Sequence, residues 1–102
     1  MSDIRHARNA LANRILEGAG TASPSERRAA FNNSGVAEPA RTLVDRVARH
    51  AYTVTDEDVT AATVSGLSED EVFEIVVCAA IGQATRQYDT ALAALEAATG
   101  KE

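Results

Sequence analysis

The chain is poor in cysteine, aromatic residues and proline: its 102 residues include one cysteine, no tryptophan, two tyrosines, two phenylalanines and two prolines. A single cysteine, Cys78, rules out an internal disulfide and any cysteine-based metal cluster, and it suits a reducing, cytoplasmic compartment. Period-two runs of β-branched and aromatic residues are also missing, so a sheet protein is not expected. Basic charge is scarce. Ten Lys and Arg stand against fifteen Asp and Glu, a formal net charge of −5, whereas phosphate-backbone binding starts from a basic patch. The amino terminus carries charged and polar residues throughout (Asp3, Arg5, His6, Arg8, Asn9), so neither a signal peptide nor a membrane span is expected.

Abundant alanine and helical spacing point instead to an all-α domain covering residues 1–102, large enough to bury roughly two thirds of its unfolded surface. Five helical segments can be drawn. Ser2 or Asp3 caps the first, whose stripe Ile4, Ala7, Leu11, Ile15 runs until Gly18 and Gly20 stop it. Its Arg5, Arg8 and Arg14 read as a solvated basic stripe. Ser23-Pro24 opens the second, with Ala29, Ala30 and Phe31 on its apolar side and Asn32, Asn33, Ser34 and Gly35 at its end. Glu38-Pro39 opens the third, where Leu43, Val44, Val47, Ala48 and Ala51 face inward and Asp45 pairs with Arg49 outside. Tyr52-Thr53-Val54 forms its exit. A capping pattern, Thr55-x-x-Asp58, starts a short fourth helix over residues 56–65 that relies on Val59, Ala62 and Val64. Gly66 ends it, and a second capping box, Ser68-x-x-Glu71, starts the fifth.

The fifth helix is expected from Glu69 to Ala98, ~45 Å at 1.5 Å per residue. Phe73, Val76, Val77, Ala80, Ile81, Ala84, Tyr88, Ala91, Leu92 and Leu95 recur at helical spacing. Every residue from Ile75 to Ile81 is apolar, and a helix apolar all round must be covered on all sides. A small domain struggles to do this alone, so Phe73, Val76, Val77, Ala80, Ile81, Ala84 and Tyr88 are expected to meet another subunit, the same helix across a symmetry axis. Gly82 allows a close approach or a bend.

The run Gly66-Leu67-Ser68-Glu69-Asp70-Glu71-Val72-Phe73-Glu74-Ile75-Val76-Val77, followed by alanine-rich sequence into Arg86-Gln87-Tyr88-Asp89-Thr90-Ala91-Leu92, resembles the carboxymuconolactone decarboxylase and alkyl hydroperoxidase D superfamily. The resemblance covers roughly Arg41 to Leu95. It implies a compact bundle of about five helices with a core over residues 38–98, an N-terminal segment over residues 1–35, and assembly into homo-oligomers. The peroxidase branch of that superfamily carries a Cys-x-x-Cys-x-x-x-His motif shortly before the glycine turn. Counting back from Gly66 places those positions near Ala51, Val54 and Asp58, and neither cysteine is present.

Thiol peroxidase chemistry needs one low-pKa thiolate to attack and a second thiol to resolve the sulfenic acid. Ala51 and Val54 supply neither, and Cys78 sits in the most apolar part of the last helix. The expectation is therefore a non-peroxidatic protein without metal or other cofactor, acting as an oligomeric binding or accessory protein for a small molecule or a protein. A second branch of the superfamily decarboxylates without a cysteine pair. For such a lyase the candidates are His50 as general acid or base, Tyr52 to orient it, Asp56 and Asp58 nearby, and Arg86 to hold a carboxylate. Against this, His50 suits the C-terminal turn of one helix, and Asp56 and Asp58 suit the first turn of the next.

A helix-turn-helix around Gly66 is the third alternative. Its recognition helix would offer Glu69, Asp70, Glu71 and Glu74 to phosphates, which argues against DNA. His6 has no second ligand at i+3 or i+4, so no metal site is expected there. The tail Lys101-Glu102 is expected to fray.

Overall fold

A computed structural model describes residues 2–100, with side chains from His6 to Gly100. Among the described residues there are five α-helices, one 3-10 turn and no strand: α1 Ser2–Glu17, α2 Pro24–Asn32, α3 Ala40–His50, a 3-10 turn Ala51–Thr53, α4 Asp56–Val64 and α5 Glu69–Thr99. The caps at Ser2 or Asp3, the stripe residue Ile4 and the tail Lys101-Glu102 lie outside the described side chains.

The starts of α2, α4 and α5 are local chemistry. Ser23, Thr55 and Ser68 each accept a hydrogen bond from the backbone N–H three residues on, and Glu26, Asp58 and Glu71 return the favour to the cap's own N–H. Each reciprocal pair satisfies donors that a helix start leaves open. Asn33 (φ 50°) closes α2, and Gly66 (φ +115°) turns the chain between α4 and α5 in backbone space that favours glycine. At α3 the carboxylate of Glu38 does the capping from outside the helix, accepting from Thr42 N at 3.1 Å and Thr42 Oγ1 at 2.8 Å.

α5 is the spine. Its face of Val72, Ile75, Cys78, Ala79 and Gly82 is buried, chiefly against α2 and α3. One apolar cluster gathers Leu16, Ala22, Ala30, Val44, Ile75, Cys78 and Ala79, and a second gathers Leu43, Ala62 and Val72. Gly82 permits the closest approach: a Cβ there would stand 1.9 Å from the carbonyl oxygen of Phe31. This fulfils the close approach expected at Gly82, and the helix runs on without a break.

Several burial expectations are corrected. In α1 the buried residue is Leu16, while Ala7 and Leu11 of the expected stripe are exposed. Ala51 is exposed at the end of α3, and in α4 only Ala62 is buried, with Val64 79% exposed. Ala62 is the residue of α4 that joins Leu43 of α3 and Val72 of α5 in the second cluster.

The molecule measures 51 × 29 × 19 Å with a radius of gyration of 15.2 Å, above the ~13 Å of a compact 100-residue domain. The length is that of α5, whose 31 residues span ~46 Å. Its second half extends past α2 and α3 and is accompanied by α1. There Arg8 pairs with Asp89 and lies over the Tyr88 ring, 4.6 Å from its centroid.

Candidate functional site

His50 ends α3 and opens the 3-10 turn, with φ −146° and ψ 62°. Its carbonyl accepts from Thr53 Oγ1 at 2.7 Å. The exposed His50 ring meets the Tyr52 ring edge to face, centroids 6.0 Å apart, and Tyr52 is 86% exposed. Of the five candidates for a lyase site, these two are neighbours.

The carboxylates are differently employed. Asp58 accepts from Thr55 N at 3.0 Å and from Arg46 Nη1 at 3.0 Å, which together close α4's cap and tie α4 to α3. The Thr55 backbone N–H, with Arg46 alongside, holds the Asp58 carboxyl below the usual carboxylate range. Asp56 is exposed in the first turn of α4, where its charge favours the helix dipole.

Arg86 serves the fold. Its Nη1 donates to the Phe31 carbonyl at 2.6 Å and its Nη2 to Gln83 Oε1 at 2.9 Å. The Phe31 carbonyl is one that the end of α2 leaves open and that Gly82 brings close to α5. The hollow beside Arg86 is lined by Gln83, Gln87, Thr90, Ala91 and Ala94 of the same helix, with no contribution from His50 or Tyr52.

Two charged groups invisible as such in the sequence hold the amino-terminal third. Arg27 is 5% exposed, and its Nη1 donates to Ile15 O at 3.1 Å and Gly18 O at 2.7 Å, closing the end of α1. Its place one turn before the buried Ala30 was the available signal. Glu74 accepts from Thr21 N at 2.8 Å and Ala22 N at 2.9 Å, fastening the loop between α1 and α2 to α5. Those backbone donors lower its pKa.

Cys78 is buried and its thiol faces the Ile15 carbonyl at 3.8 Å. Burial pushes its pKa up, the wrong direction for a nucleophilic thiolate. Among the described residues no group of three His, Cys, Asp or Glu is placed to hold a metal ion, and no helix is long and apolar enough to cross a membrane.

His50 lines none of the clefts described here, and two of them bear on the sequence readings. One of about 310 Å³ lies between the end of α2 and α3, where Arg41, Arg46 and Arg49 alternate with Glu38 and Asp45. Its cations are already paired, Arg41 with Glu38, Arg49 with Asp45 and Arg46 with Asp58. The Arg49–Asp45 pair is the one expected at i,i+4. The other cleft, about 390 Å³, is an apolar groove between α4 and α5 lined by Val59, Val72, Phe73 and Val76. Phe73 stands at its rim, 68% exposed.

That groove belongs to a larger surface. On the side of α5 away from the core, Phe73, Ala80 and Ala84 are exposed and Val77 is half-buried; of the other residues expected to meet a second subunit, Ile81 and Tyr88 are half-buried, Tyr88 under Arg8, and Val76 packs against the cluster of Leu43, Ala62 and Val72. Compared with family models, with curated proteins and with solved structures, the chain matches none of them.

Proposed function

We propose that the chain is a non-peroxidatic helical protein of the carboxymuconolactone decarboxylase and alkyl hydroperoxidase D type, working in the cytoplasm as a homo-oligomeric binding or accessory protein. The observation that carries this reading is the outer side of α5, where a 68% exposed Phe73 continues into small apolar residues. A large exposed apolar patch marks an interaction surface. The polar groups add support, since Asp58 and Arg86 have full structural employment and Cys78 is buried as a thiol. Light scattering at micromolar concentration tests the reading: a mass of two or more chains is expected, and a single-chain mass overturns it.

The edge-to-face contact of His50 and Tyr52 favours one second reading, a cofactor-free lyase acting on a carboxylated lactone. Release of carbon dioxide from such a lactone by the wild-type protein, lost in His50→Ala, would establish that reading. Turnover unchanged in His50→Ala would remove it.

A further inference from the structure

The outer side of α5 keeps its helical period over a longer run than the buried side, which ends at Gly82. Phe73, Val77, Ala80, Ala84, Gln87, Ala91, Ala94 and Ala98 are spaced alternately by four and three residues, and all except the half-buried Val77 are exposed. This is the a/d repeat of a helix that pairs with another helix, and no charged residue falls on it. Against a straight α-helix it drifts by ~20° per heptad, which a left-handed crossing of two helices removes. Resting on the oligomeric reading above, we propose that this seam pairs with the same seam of a second copy, antiparallel, about a two-fold axis between Ala84 and Gln87.

Size and charge choose the occupant and its direction. In the antiparallel register Phe73 meets Ala98 of the second copy, Val77 meets Ala94, Ala80 meets Ala91, and Ala84 meets Gln87. Phe73, Val77 and Gln87 each face an alanine, so no two bulky residues meet. The flanking positions agree: Ile81 stands by Tyr88 of the second copy and Gln83 by Thr90. A parallel pair would set Phe73 on Phe73 and leave a run of alanines gaping.

A parallel pair would also stack the acidic first turns, Glu69, Asp70, Glu71 and Glu74, on their own copies. The antiparallel pair separates them by most of the length of α5, far beyond the ~8 Å screening length at physiological salt. Shape points the same way. At its first half the seam lies between α1 and α4: Phe73 borders both the α4 groove with Val59 and the hollow formed with Arg14 and Ile15 of α1. At its second half α5 stands clear of α2, α3 and α4 and has only α1 at its flank, through Arg8 on Tyr88 and Asp89, with Leu95 58% exposed. The clear half of one copy is therefore the ridge for the valley of the other.

Cysteine crosslinking tests the direction and register. Ala80→Cys and Ala91→Cys are made separately, on exposed positions that leave the fold intact, and oxidised mildly alone and mixed; buried Cys78 in the wild type is the blank. Only the mixture is expected to give a covalent dimer, with at least tenfold more crosslink than either variant alone. Crosslinking of Ala80→Cys with itself would overturn the antiparallel pair in favour of a parallel one. A protein of dimeric mass that crosslinks in no combination would overturn the seam while sparing the oligomeric reading, and a monomeric mass would overturn both.

Discussion

The two sides of α5 are both apolar and differ in what they ask of their neighbours. The inner side is closed by backbone and side chain at once: Cys78 and Ala79 are buried, and Gly82 lets the end of α2 come within a distance that no side chain would allow. The outer side ends in exposed methyl groups and one exposed phenyl ring. One helix thus carries a surface closed by fixed neighbours within the chain and a second, longer surface that α1 and α4 only border. Hydrophobicity alone does not separate them; the sizes of the residues and the polar groups at their margins do.

The sharpest way to break this contrast is to truncate one residue on each side. Ile75→Ala, on the inner side and 4% exposed, is expected to cost about 2–5 kcal/mol in urea unfolding. Phe73→Ala, on the outer side, is expected to change the stability of the diluted monomer by less than ~0.5 kcal/mol. Equal losses would erase the distinction between the sides.

Gly82→Ala is next. Its methyl group would stand 1.9 Å from the Phe31 oxygen and 2.7 Å from the Phe31 carbonyl carbon, backbone atoms that cannot swing aside. Overpacking of this kind costs about 1–3 kcal/mol, more than the ~1 kcal/mol that alanine gains over glycine in a helix. A fall in thermal midpoint is therefore expected, whereas Ala84→Gly on the outer side should cost only the propensity difference. A rise in midpoint for Gly82→Ala would show that the close approach to α2 is not needed.

Arg27→Met sharpens the comparison at the margin of the inner side. Methionine keeps the bulk but abandons the carbonyls of Ile15 and Gly18, at a cost of about 2 kcal/mol for unsatisfied polar groups. The loss should appear as faster amide exchange in α1, with α3 protected as before. Uniformly faster exchange would mean that Arg27 holds the whole bundle.

The smallest effect is acidic. Glu74 has a pKa lowered by the Thr21 and Ala22 backbone donors from an ordinary value near 4.5. A depressed carboxylate contributes stability that is complete above the unfolded pKa and disappears as pH falls through the folded one. Below about pH 4.5 the wild type should therefore lose stability more steeply than Glu74→Gln, whose amide cannot titrate. Parallel acid limbs for the two proteins would refute this role.

Much of the architecture could be read from residues alone because helix ends are local. The Ser23, Thr55 and Ser68 caps, the Gly66 turn and the extent of α5 each depend on a few adjacent residues. The inward side of α5 was harder: with apolar residues at every position from Ile75 to Ile81, periodicity has no polar side to measure against, and only the neighbours decide. The polar groups show the same limit. Arg86 has the chemistry to hold a carboxylate, but the chain brings it to the Phe31 carbonyl, a partner fifty-five positions away. Arg27 and Glu74 look like ordinary surface charge until the loop they fasten is in place. Val64 reads as a packing residue in a short helix, yet α3 and α5 cover the other side of α4, where Ala62 lies against Leu43 and Val72.

The outer side of α5 is tested most directly by charging it. Phe73→Glu with Ala80→Glu puts two carboxylates on exposed positions that the folded monomer tolerates, so the helical signal should be retained. Sedimentation at tens of micromolar should then give an assembled wild type and a monomeric double variant. A wild type that sediments as a monomer, or a charged variant that keeps the wild-type mass, would contradict the assignment of this face to assembly.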